Sequence, residues 1–143
     1  MKRAGVITLF LTLGIVQTAS ANPVATQILN SFRSAQGLPV LRYAPELEKA
    51  ARLHANDMLH QRFFSHRGSD GSTVGDRVLR SGYRWCFIAE NLAQGQPDLA
   101  EVMRAWAQSP GHRANMLSPR VNEFAVVEGP GSIWVMILGA QRC

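Results

Sequence analysis

Residues 98–117 read DLAEVMRAWAQSPGHRANML, and the pattern changes character halfway along. Asp98, followed three residues later by Glu101, makes a capping-box-like start, because a short acidic side chain accepts from the backbone N–H groups that open a helix. Leu99, Val102, Met103 and Trp106 then recur at helical spacing, which predicts an amphipathic helix to about Gln108 with the indole on its buried stripe. Pro110 and Gly111 break it, and a short turn carrying His112, Asn115 and Met116 follows.

Working outward, Phe124–Val127 and Ile133–Leu138 are β-rich runs joined by Glu128-Gly129-Pro130-Gly131, which predicts an antiparallel hairpin. Upstream, Tyr83, Trp85, Phe87 and Ala89 alternate with Arg84, Cys86, Ile88 and Glu90, the period of a strand. Thr73 and Asp76 frame a short helix from Val74 to Ser81 that Gly82 stops, after a long loop, Arg62–Ser72, opened by Phe63 and Phe64. Leu47, Ala50, Ala51, His54, Ala55 and Met58 form one face of a helix from Pro45 to about Gln61. Val24, Ile28, Leu29 and Phe32 stripe another that Gly37 ends in the left-handed conformation. Helices flanking a small antiparallel sheet predict the α+β class.

The N-terminus reads as a cleavable signal peptide, residues 1–21. Lys2 and Arg3 precede a short apolar run from Val6 to Val16, and Ala19-Ser20-Ala21 offers the small residues that signal peptidase requires. The run is shorter than the roughly 20 residues that span a bilayer, so the cleaved protein is not an integral membrane protein. Residues 22–143 fit one domain. They carry 13 basic and 10 acidic residues, a net charge of +3. The arginines are scattered and do not alternate with aromatic residues, which argues against nucleic acid as a partner. Cys86 and Cys143 are the two cysteines, and an oxidising compartment predicts their pairing. The ring would close 58 residues, a constraint worth about 4 kcal/mol by chain entropy.

Phosphate loops, dinucleotide glycine patterns, nucleophile elbows and paired zinc-protease histidines are all absent from the sequence. What remains is histidine and carboxylate. His66 and His112 sit where the chain turns, whereas His54 lies on a packed helix face and His60 near a helix end. Glu90 is the misfit of its strand, since an acid beside Ile88 and Leu92 must find a partner or take a proton. Two imidazoles and a carboxylate suit zinc with a fourth position open to water, and they equally suit acid and base work without metal. The spacing alone matches no compact ligand motif and leaves both readings open.

Phe64-Ser65-His66, Ala89-Glu90-Asn91-Leu92 and Trp106-Ala107-Gln108-Ser109-Pro110-Gly111-His112-Arg113-Ala114-Asn115-Met116-Leu117 occur in an order that resembles bacterial members of the CAP superfamily, the cysteine-rich secretory, antigen 5 and pathogenesis-related proteins. The likeness extends over nearly all of residues 22–143, including Ala51-Arg52-Leu53-His54-Ala55-Asn56-Asp57-Met58 and Asp70-Gly71-Ser72. The resemblance implies a three-layer α-β-α sandwich with a surface cleft, lined in many members by two histidines and two acids that sometimes hold zinc. His66, Glu90 and His112 match three of those positions as candidate catalytic or metal-binding groups, with Asn91 supporting the cleft. The fourth position, an acid in many members, is Ser109, which leaves a support role there and weakens any zinc or other divalent-metal site. The expectation is a periplasmic or secreted monomer whose cleft binds a small apolar or envelope-derived ligand. The alternatives are a peptidoglycan hydrolase or lyase using Glu90 and the histidines, and a secreted host- or competitor-directed factor without an active site.

Overall fold

Asn22 opens the first helix by accepting from the backbone N–H groups of Val24 and Ala25, with Pro23 at the position where no amide hydrogen is needed. The computed structural model describes residues 22–143, so the expected signal peptide lies outside the described residues. Helix α1 spans Pro23–Ser34, and α2, also begun by a proline, spans Pro45–His60. Helix α3, Val74–Arg80, starts with the full capping box in which Thr73 and Asp76 each accept from the other's backbone. Gly37 and Gly82 take positive φ values of 71° and 97° just past α1 and α3, at the predicted stops. Helix α4 covers Leu99–Gln108 with Asp98 as its cap, and α5 covers Pro110–Met116.

Four strands form one sheet: β1 is Arg42–Tyr43, β2 Phe87–Gln94, β3 Glu123–Gly129 and β4 Ile133–Ala140, in the order β1-β3-β4-β2. β3 and β4 form the expected hairpin, with Ala125 opposite Ile137, and β2 pairs antiparallel on the far side of β4, with Glu90 also opposite Ile137. The sheet is mixed, because the two residues of β1 run parallel to β3, an edge too short to leave a periodic signal.

Every residue of β4 is buried, as befits a strand covered on both faces. Its alternation assigns the layers. Ile133, Val135 and Ile137 face α2 and pack with Ala51, Ala55, Met58, Val127 and Leu92. Trp134, Met136 and Leu138 face the other way, into a second core with Leu29, Met103, Trp106 and Phe124 from α1, α4 and β3. Alanines let α2 lie close to the sheet, so that a methyl group on Gly129 would come within 2.5 Å of the Ala55 side chain. The result is the α-β-α sandwich.

Two further elements differ from expectation. The strand expected at Tyr83–Glu90 begins at Phe87 and runs to Gln94, because Tyr83 instead closes α3, its N–H donating to the Val78 carbonyl, while Trp85 donates to Gly75. The expected turn after Pro110 is helix α5, with the proline at its first position instead of acting as a breaker. The expected disulfide is present, joining Cys86 and Cys143 with 5.8 Å between Cα atoms and fastening the start of β2 to the chain end.

Candidate functional site

β2 is an edge strand, and its position lets both helical layers reach it. Its outward carbonyls need cover, and side chains supply it: Trp106 donates to Leu92 at 3.1 Å, and Asn115 reaches Glu90 at 3.3 Å. Asn91 is fully buried on the α5 side of the strand. It donates to the His112 carbonyl at 3.1 Å and accepts from Asn115 at 2.8 Å, so the two asparagines fix α5 against the strand. Ser109 joins α4 to α5 with an extended backbone, and its side chain caps neither helix. It redirects the chain through its backbone.

The opposite side of β2 receives the 61–73 loop. Arg62 takes a left-handed conformation, φ 56°, which turns Phe63 back so that its N–H donates to Met58. The buried ring of His54 donates from Nε2 to the Ser65 carbonyl at 2.8 Å, and Asp57 accepts from the backbone and hydroxyl of Ser69 at 2.9 and 2.6 Å. His54, placed by sequence on a packed face, is therefore also a tether for the loop. Burial pushes its pKa down, partly offset by the charge of nearby Glu90.

These tethers bring His66 onto Glu90. His66 Nδ1 lies 2.8 Å from Glu90 Oε1, and a carboxylate can only accept, so Nδ1 carries the proton and Nε2 faces away. Glu90 Oε2 accepts from Arg77 Nη2 at 2.7 Å, with the Glu90 and Arg77 side chains only 2% and 8% exposed. The hydrogen bond to Glu90 raises the His66 pKa against the opposing effects of burial and of Arg77. In front lies an open cleft of about 430 Å3 whose wall includes His66, Glu90, Val74, Phe87, Ile88 and Asn115. Arg120 stacks on the Phe87 ring at 4.0 Å.

The expected constellation is thus drawn together unevenly. His66 and Glu90 touch. His112 stands close enough to His66 for its pKa to be lowered, first by burial and then by the His66 charge, yet among the described residues its ring bonds to neither His66 nor Glu90. The donor set does not fit a resident divalent ion: both Glu90 oxygens are engaged, one by a guanidinium, and Ser109 offers no carboxylate. Among the described residues no group of three or more His, Cys, Asp or Glu side chains is arranged to hold a metal. Sequence reasoning missed Arg77. The signal available was a second charged misfit, an arginine beside Val78 on a short helix.

Residues 26–135 match the family model described as the cysteine-rich secretory protein family, CAP. Uncharacterized protein YkwD of Bacillus subtilis is 36% identical over 110 residues, covering 76% of this chain and 42% of that protein. Uncharacterized membrane protein YlbC of the same organism is 26% identical, covering 78% of this chain and 32% of its own length. The chain therefore spans less than half the length of these curated relatives. An extracellular protein containing an SCP domain from Bacillus anthracis superposes with a TM-score of 0.78 at 26% identity, covering 82% of this chain and 39% of that one. An outer surface protein of Borrelia burgdorferi shares the fold, with a TM-score of 0.76 at 22% identity over 84% of this chain and 92% of its own.

Proposed function

The chain belongs to the cysteine-rich secretory protein (CAP) family, and from that premise we propose that it is an exported cleft protein which binds a small, largely apolar ligand derived from the cell envelope. The observation that carries this reading is the composition of the cleft: Val74, Phe87 and Ile88 offer an apolar wall, and the His66–Glu90 pair offers one hydrogen-bonding end. Such a site suits a molecule with an apolar body and a single polar group. Placement outside the cytoplasm is supported by the signal-peptide pattern, the disulfide, and the extracellular and outer-surface descriptions of the structural relatives.

A second reading is favoured by the same pair. A carboxylate that holds one imidazole nitrogen leaves the other as a base, so an envelope hydrolase or lyase would use His66 Nε2, with Glu90 orienting the ring. Glu90 is in turn held by Arg77. The test is to incubate the protein with an organic extract of bacterial envelope, repurify it and identify retained molecules by mass spectrometry, alongside Val74→Asp. The parent should retain at least about tenfold more lipid, because the variant places a charge in the apolar wall. Equal retention overturns the cleft as the ligand site, and soluble fragments released from peptidoglycan by the parent but not by His66→Ala would establish the enzymatic reading instead.

A further inference from the structure

The contact between His66 and Glu90 joins a loop to a strand, and neither residue's own neighbours dictate it. One side chain touches both partners. Arg77 Nη2 lies 2.7 Å from the Glu90 carboxylate, while Nη1 donates to the His66 carbonyl at 3.0 Å and to the Ser72 carbonyl at 3.1 Å. Those two carbonyls mark the ends of the 66–72 segment. The guanidinium thus clamps that segment at both ends and points it at the carboxylate. Its base is firm, since Arg77 sits in the helix fixed by the Thr73–Asp76 box and is itself buried.

The clamp also supplies the charge that Glu90 needs. A carboxylate with a 2% exposed side chain requires a cation, and Ser109 offers a hydroxyl and not a second carboxylate. The Arg77 cation is in direct contact with Glu90. Buried ion pairs are weak stabilisers compared with apolar packing of the same volume, so stability alone gives little reason for this pair. We propose that Arg77 is the positioning residue of the cleft, a resident cation that holds Glu90 and sets His66 against it. This concerns how the site is built, and it stands whichever ligand the cleft takes.

The two roles open to Arg77 predict opposite signs. A cation that is merely nearby lowers the pKa of an imidazole, so removing it should raise the His66 value. A positioning residue, once removed, releases the loop, and His66 loses Glu90. The experiment is NMR titration of the His66 ring, in buffer containing a chelator, for the parent, Arg77→Met, Arg77→Lys and Glu90→Gln, with amide spectra reporting the fold. The expected result is a downward shift in Arg77→Met that matches Glu90→Gln. Arg77→Lys should shift down as well, because an ammonium keeps the charge but cannot fork between a carboxylate and two carbonyls. If Arg77→Met does not fold, Arg77→Lys decides alone. An unchanged or raised His66 pKa in the folded variants overturns the proposal.

Discussion

Two arginines are buried in this domain, and they are employed differently. Arg33, at the end of α1, is fully buried and donates to three backbone carbonyls, Pro39, Met116 and Ser118, each at 2.9 Å. No carboxylate pairs with it among the described residues, and burial lowers its pKa. Arg77, on the other side of the sheet, donates to two carbonyls and a buried carboxylate that in turn holds an imidazole. Each leaves one nitrogen without a protein partner among the described residues, Nη2 in Arg33 and Nε in Arg77. Neither burial nor incomplete hydrogen bonding separates the two; the chemistry of the partners does. Carbonyl partners alone close a backbone, whereas a carboxylate partner that contacts an exposed histidine builds a site.

The comparison breaks first if the Arg33 layer is not the structural one. Trp106 lies in that layer, 1% exposed, with its indole nitrogen on the Leu92 carbonyl. Trp106→Ala should cost about 3 to 5 kcal/mol in urea unfolding, as filled cores lose packing and a cavity remains. A loss below about 1 kcal/mol would mean that the indole contributes little to the fold.

A double-mutant cycle sharpens the contrast between the arginines. Arg33→Met should cost roughly 2 to 3 kcal/mol, because the carbonyls it leaves have no alternative donor, and no second substitution should relieve the loss. Arg77→Met strands Glu90, so adding Glu90→Gln should recover roughly 1 to 3 kcal/mol of whatever the single change removes. Additive losses at Arg77 and Glu90 would make the two arginines equivalent.

The smallest effect is the pH dependence, in which two histidines on the Arg77 side act with opposite sign. His54 is held below its ordinary pKa by burial, so the folded state resists protonation and its contribution to stability is lost as pH falls below about 6.5. His66 is raised above its ordinary pKa by Glu90, so its contribution is present below about 6.5 and is lost as pH rises through the folded value. Urea midpoints from pH 5 to 8 should show that His66→Ala flattens the alkaline limb and His54→Gln the acid limb. The same limb flattened by both substitutions would contradict these assignments.

The local devices were legible in the sequence. The Thr73–Asp76 box, the stops at Gly37 and Gly82, the buried stripe of Trp106, the hairpin around Pro130 and the misfit of Glu90 all depend on residues within a few positions of one another. Periodicity and capping are short-range physics, and a sequence displays them directly. The elements that escaped were those whose local signal was thin or ambiguous: two residues of β1, a seven-residue α5 begun by a proline, and a β2 displaced because Tyr83 turned back onto α3. The site escaped further still. Glu90 announces that it needs a partner, but Arg77 comes from a preceding helix and His66 from the loop before that. Which charges meet depends on where the tethers at His54 and Asp57 return the loop to the edge of the sheet. A buried charge states its requirement through its own residue type, while its partner is chosen by the packing that brings distant segments together, and only the tertiary structure fixes that choice.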